Sequence, residues 1–193
     1  DDPAFPPMST STPVVYKGRA YIGVSGTGQF TQYSGHNITV IDLSGTMSIA
    51  YRVQTQGYPQ TSGLLTTAYE QDNGYVYVYF FDNYTPGTLR VLRDKAGQTE
   101  ADYLTKESFS GRAYFTPYAV FTPFDKQAQY AICSPITDSD GTIYFKNDSG
   151  YLMAFGRSIE KIEVTKQPDK TQYNAGDIFD KTGMVVTATL SDG

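Results

Sequence analysis

Gly18-Arg19-Ala20-Tyr21-Ile22-Gly23-Val24 follows Pro13-Val14-Val15-Tyr16-Lys17, and the two runs read as the arms of one hairpin bent at Lys17-Gly18. The phrase Gly-x-x-Tyr recurs at Gly74-Tyr75-Val76-Tyr77, at Gly111-Arg112-Ala113-Tyr114 and at Gly141-Thr142-Ile143-Tyr144. At three of the four places a short apolar strand follows. A recurring unit of about 50 residues made of strands and turns predicts a radial or stacked β architecture.

Around the first phrase the sequence predicts four hairpin-linked strands: Pro13 to Tyr16, Arg19 to Val24, Asn37 to Asp42 and Met47 to Val53. In the second unit Leu64 to Tyr69 precedes the turn signal Asp72-Asn73-Gly74. Tyr75 to Phe81 then alternates aromatic and β-branched residues, and Leu89-Arg90-Val91-Leu92 repeats the pattern of Ile38-Thr39-Val40-Ile41. Residues 94–127 are less regular in strand grammar, and the copy at Gly111 reads as chance repetition in a β-rich chain. The third unit runs from Tyr130-Ala131-Ile132-Cys133-Ser134, through turns at Asp138 to Gly141 and Asn147 to Gly150, to Tyr151 to Gly156.

Composition agrees with an all-β chain. The 193 residues hold 17 Tyr and 11 Phe with no Trp, and Tyr, Phe, Val and Thr suit a pleated, half-buried surface. The 18 Gly and 10 Pro supply turns at short intervals. A net charge of −5 argues against nucleic acid as a partner, because phosphate binding needs clustered Lys and Arg. Arg90, Arg93 and Lys95 form the one short basic run, and Asp94 interrupts it. No apolar run approaches the length of a membrane span. The start, Asp1-Asp2-Pro3-Ala4, lacks the basic and apolar regions of a signal peptide. It reads as a point inside a longer chain, or just after one was cut.

The run Ser134-Pro135, then Asp140-Gly141-Thr142-Ile143-Tyr144, then Gly150-Tyr151-Leu152-Met153-Ala154-Phe155 resembles the repeat of the PQQ-like (quinoprotein-type) β-propeller family. The resemblance covers about residues 12–156 and implies four-stranded antiparallel blades. It implies that the glycine makes the hairpin turn, while the Tyr and the later apolar pair pack between sheets. Quinone-binding members generally carry Trp in the repeat, which this chain lacks. The resemblance therefore implies the scaffold without the cofactor.

Beyond Gly156 the pattern changes. Ile159 to Val164 alternates apolar and charged residues, and Pro168, Lys170, Tyr173, Gly176 and Asp177 stand in a spacing that resembles the opening of a bacterial immunoglobulin-like surface domain. The expected fold is thus all-β: a partial β-propeller over residues 1–156 and the beginning of an Ig-like sandwich over residues 157–193, joined at Gly156-Arg157-Ser158. Three units fall short of the usual 4–8 blades, and about 35 residues fall short of a sandwich. The expectation is a piece of a longer multidomain protein.

Candidate chemistry is sparse. Asp138 and Asp140 have the spacing that opens a calcium loop, but the twelfth position from Asp138 is Ser149 rather than Glu. A hairpin turn is the favoured reading, with a non-EF calcium site as the alternative. Gly26-Thr27-Gly28 lacks the third glycine and following helix of a phosphate loop. His36, the sole histidine, reads as a partly exposed loop residue, and Cys133, the sole cysteine, as a small buried hydrophobe within a strand. Tyr75, Tyr77 and Tyr79 fall on one face of a strand, with Val76 and Phe80 on the other. Such rings are assigned first to packing between sheets, and second to gripping a sugar face or a peptide.

These readings predict no catalytic residue, no metal and no cofactor. The expected protein is extracellular or cell-wall-associated, bacterial and non-enzymatic, and serves binding, adhesion or display toward a protein or glycan partner. The alternative is an accessory propeller of a larger polysaccharide-degrading or quinone-type enzyme. A third reading is a structural spacer.

Overall fold

The computed structural model describes residues 9–26, 35–109, 112–156 and 159–190. The fold is all-β, with four antiparallel sheets among these residues. The chain divides into two compact units, Asp1–Ala154 and Phe155–Gly193.

The first sheet joins β1 (Val14–Tyr16), β2 (Arg19–Val24), β3 (Asn37–Asp42) and β4 (Ser48–Gln54) in sequential order. Tyr16 faces Arg19 across a two-residue turn in which Lys17 has φ 41° and Gly18 φ 76°. Two successive left-handed residues are what a type I′ hairpin demands, because that turn matches the twist of the flanking strands. Gly23 is required for a different reason. A Cβ there would collide with the Pro59 carbonyl, which lies against β2.

The second sheet contains β5 (Leu64–Thr66), β6 (Val76–Phe81), β7 (Leu89–Asp94), β8 (Leu104–Phe109) and β9 (Arg112–Phe121), in the order β5-β6-β7-β9-β8. The strand expected over Leu64 to Tyr69 stops at Thr66. The signal Asp72-Asn73-Gly74 forms the end of a single helical turn, α1 (Glu70–Asn73), closed by Gly74 at φ 78°. Residues 94–127 are more ordered than the sequence suggested. They hold β8 and the ten-residue β9, which inserts between β7 and β8. The Gly111 phrase falls at this hairpin, although Gly111 itself lies outside the described residues.

Buried polar bonds explain that insertion. Arg90 on β7 is 1% exposed, and its guanidinium pairs with Asp82 and with both Glu107 oxygens at 2.9 and 3.0 Å. It also donates to Thr116 Oγ1 at 2.7 Å. One cation therefore ties β7 to β8 and β9. Its partners are separated by up to 34 residues of sequence, and no local pattern announces them.

The first two sheets share a core of Tyr21, Ile38, Val40, Tyr51 and Val53 from one and Val76, Val78, Phe80 and Leu92 from the other. Each fully buried side chain of this size contributes roughly 1.5–3 kcal/mol by leaving water. The strict alternation of β6 makes this possible. Val76, Val78 and Phe80 turn inward, which sends Tyr77 and Tyr79 to the opposite face.

The third sheet is small: β10 (Ile136–Thr137), β11 (Ile143–Lys146) and β12 (Leu152–Phe155). Its three strands, and the five of the second sheet, depart from the expected four per sheet. Tyr130 to Ser134 is irregular rather than a strand. The segment is held by loop contacts instead: Asn147 Nδ2 donates to the Gln127 and Gln129 carbonyls at 2.6 and 3.3 Å, and the Asp148 amide donates to the Tyr130 carbonyl at 3.0 Å. Phe145 of β11 meets Phe81 and Phe121 with ring centroids 4.6 and 6.0 Å apart. The third sheet thus covers the Phe81–Leu89–Phe121 end of the second sheet's outer face.

In the second unit β13 (Ile159–Lys166) pairs with β14 (Val185–Leu190). Pro168, Lys170, Tyr173, Gly176 and Asp177 all lie in the connecting loop. Tyr173 Oη lies 2.9 and 3.0 Å from the Lys170 and Asp180 carbonyls and accepts the Asp180 amide at 3.0 Å. Lys170 Nζ reaches Asp177 at 3.3 Å. Arg157 and Ser158 lie outside the described residues.

Candidate functional site

Sheet geometry places a row of tyrosines on the uncovered part of the second sheet's outer face. Tyr79 is aligned with Val91, and Val91 with Tyr118; Tyr77 is aligned with Arg93. Because side chains two apart share a face, Tyr77, Tyr79, Val91, Arg93, Tyr118 and Val120 all project from one surface. Tyr69 enters beside α1, and Tyr103 enters from the loop before β8. Together with Asn73 these residues, Arg93 excepted, enclose a groove of about 270 Å³.

The rings divide into floor and walls. Tyr77 and Tyr79 are half-buried, whereas Tyr69, Tyr103 and Tyr118 remain 49%, 39% and 42% exposed. Tyr103 stacks on Tyr118 with centroids 4.7 Å apart and planes 25° from parallel. Tyr69 meets Tyr77 edge-on at 5.6 Å. Asn73 Nδ2 donates to Tyr77 Oη at 3.2 Å, so a polar amide sits among the rings. Burial, reinforced by the neighbouring Tyr69, Tyr77 and Tyr103, raises the pKa of Tyr79; burial and Tyr118 raise that of Tyr103. These hydroxyls keep their protons and remain hydrogen-bond donors.

One wall is strained. Tyr103 has φ 42°, a left-handed conformation that costs a bulky residue about 1–2 kcal/mol. Its ring is held there by Tyr118 on one side and by Arg93, whose guanidinium carbon lies 5.1 Å from the ring centroid. Arg93 is in turn fixed by Asp102, with Nε and Nη2 each donating at 3.1 Å. That pairing pushes its pKa further up.

Of the three tyrosines marked from sequence, Tyr77 and Tyr79 line this groove. Tyr75 lies beyond its end, beneath Arg93 and Lys95, each 4.6 Å from the ring centroid. The alternation holds within β6 for Tyr77 and Tyr79, whereas Tyr75 precedes the strand, and the face packed between the first two sheets is that of Val76, Val78 and Phe80. Tyr69, Tyr103 and Tyr118 were missed. They come from a helical turn, a loop and a strand that the sequence did not disclose.

The other candidates are placed elsewhere. Asp138 Oδ1 accepts the amides of Asp140 and Thr142 at 3.0 Å, and Oδ2 accepts Tyr144 Oη at 2.9 Å. The Tyr144 bond leads the causes that lower the Asp138 pKa. This carboxylate closes the hairpin turn. Asp140 is exposed, and among the described residues no group of three His, Cys, Asp or Glu side chains gathers as for a metal. His36 is buried at 3% exposure, contrary to its expected place at a loop surface; its ring stacks against Tyr58 at 6.0 Å. Cys133 is a half-exposed thiol in the irregular segment before β10, not a buried strand residue. Thr27 and Gly28 lie outside the described residues. Among the described residues no helix is long and apolar enough to cross a membrane.

No family model matches the chain. It is similar to pectate lyase L of Thermoclostridium stercorarium, with 29% identity over 119 residues, 60% of this chain. That stretch spans 9% of the length of the relative.

Proposed function

We propose that this chain is a non-catalytic accessory region of an extracellular bacterial protein acting on polysaccharide, and that the tyrosine groove holds a glycan chain. The observation that carries the reading is the set of exposed rings, Tyr69, Tyr103 and Tyr118, standing over a half-buried tyrosine floor beside the amide of Asn73. Aromatic faces match the apolar faces of sugar rings, and phenol and amide groups match their hydroxyls. The partial similarity to a protein called pectate lyase supports the same direction. In this reading the stacked sheets of residues 1–156 are propeller-type blades serving as a rigid platform, and residues 157–193 begin an Ig-like spacer.

Titration of the chain with soluble plant and bacterial polysaccharides, read by calorimetry, tests the proposal. Tyr118→Ala removes an exposed wall whose stacking is worth about 0.5–1.5 kcal/mol, so affinity should fall up to about tenfold with the fold intact. Equal affinity in Tyr118→Ala, or no polysaccharide bound by the unaltered chain, contradicts it.

A further inference from the structure

The groove has a charged flank. Strand β7 turns Val91 into the groove, and Arg93 follows on the same face two residues further along; Lys95 comes just after the strand ends at Asp94. Arg93 stands over both Tyr75 and Tyr103, and the latter is a groove wall. Asp102 occupies Nε and Nη2 of Arg93 and neutralises its charge, yet the side chain remains about one-third exposed. Nη1 has no partner among the described residues. Lys95 differs: it is exposed, its ammonium rests on Tyr75, and no carboxylate among the described residues lies in ion-pair range. Lys95 thus sets an unneutralised cation beside an aromatic groove in a chain of net charge −5.

We propose that the groove selects polysaccharides bearing carboxylates, a polyuronate in chemical class, with Lys95 supplying the unpaired charge and Arg93 Nη1 the donor. The inference rests on the glycan reading above. Arg93 lies over both the Tyr103 wall and the Tyr75 ring, and Lys95 lies over Tyr75 as well, so the two cations adjoin the groove on its Tyr103 side. Sugar stacking supplies contact area, and the cations distinguish an acidic chain from its neutral counterpart.

The test compares polygalacturonate with its fully methyl-esterified form, which keeps the backbone and removes the charge. The unaltered chain should bind the acid form more tightly, and raising NaCl to about 0.5 M should erase most of the difference. Lys95→Ala, at an exposed position that leaves the sheets untouched, should lower affinity for the acid form about threefold or more while leaving the ester unchanged. Equal binding of both polymers, or acid binding indifferent to Lys95→Ala and to salt, overturns the charge selection and leaves the glycan groove standing. Affinity for the acid form left unchanged by Tyr118→Ala places its binding outside the groove and overturns both. A chain that binds neither polymer but takes a neutral glycan at the tyrosines overturns the selection alone.

Discussion

Arg19 on β2 grips Asp94 at the end of β7 through two parallel hydrogen bonds, Nε to Oδ2 and Nη2 to Oδ1, each 2.9 Å. Tyr21 and Tyr51 add their hydroxyls to the same carboxylate at 2.8 Å. Asp94 is fully buried, so four donors from the first sheet converge on one anion of the second. Removing one partner of a buried pair leaves the other uncompensated. Asp94→Ala should destabilise the first unit by about 3–5 kcal/mol in urea unfolding. A loss below about 1 kcal/mol would show that water reaches the cluster and relieves Arg19.

The same cluster predicts an alkaline limit. Burial, then the adjacent Asp94 charge, pushes the Tyr21 and Tyr51 pKa values well above the usual tyrosine value. In the unfolded chain both ionise near pH 10. Above that pH the folded state binds more protons than the unfolded state, so stability falls as pH rises. The two groups together should contribute a slope of about −2.7 kcal/mol per pH unit. The double variant Tyr21→Phe with Tyr51→Phe starts less stable but should lose that share of the slope. An unchanged slope between about pH 10 and 12 would place the titration at other tyrosines.

Tyr103 offers a test of strain at the groove. Glycine takes a φ of 42° without penalty, whereas alanine keeps the strain and loses the ring. Tyr103→Gly should therefore be more stable than Tyr103→Ala by about 1 kcal/mol, reversing the usual order in folded segments. Both variants should lose glycan affinity. If the alanine variant is the more stable, the left-handed backbone is not what holds this wall.

Much of the first sheet was legible because its determinants are local. Lys17-Gly18 specifies a tight turn, and Arg19 to Val24 and Asn37 to Asp42 read as strands, which pair antiparallel in the structure. The β6 alternation likewise placed Tyr77 and Tyr79 together. The β8–β9 hairpin was not legible. Its stability depends on Arg90 reaching Glu107 and Thr116, partners that become neighbours only after folding. His36 was misplaced for a similar reason. Its burial follows from the Tyr58 ring, brought to it from 22 residues away. The groove needed all of these long-range placements at once, so sequence supplied its floor and missed its walls.

A crystal structure of the chain with a bound oligosaccharide, chosen from whichever polymer the titrations favour, addresses the central claim most directly. The account predicts a sugar ring against the exposed tyrosines Tyr69, Tyr103 and Tyr118, with a hydroxyl within hydrogen-bond range of Asn73 or Tyr79. A sugar bound at any other surface, with these rings left bare, would contradict it.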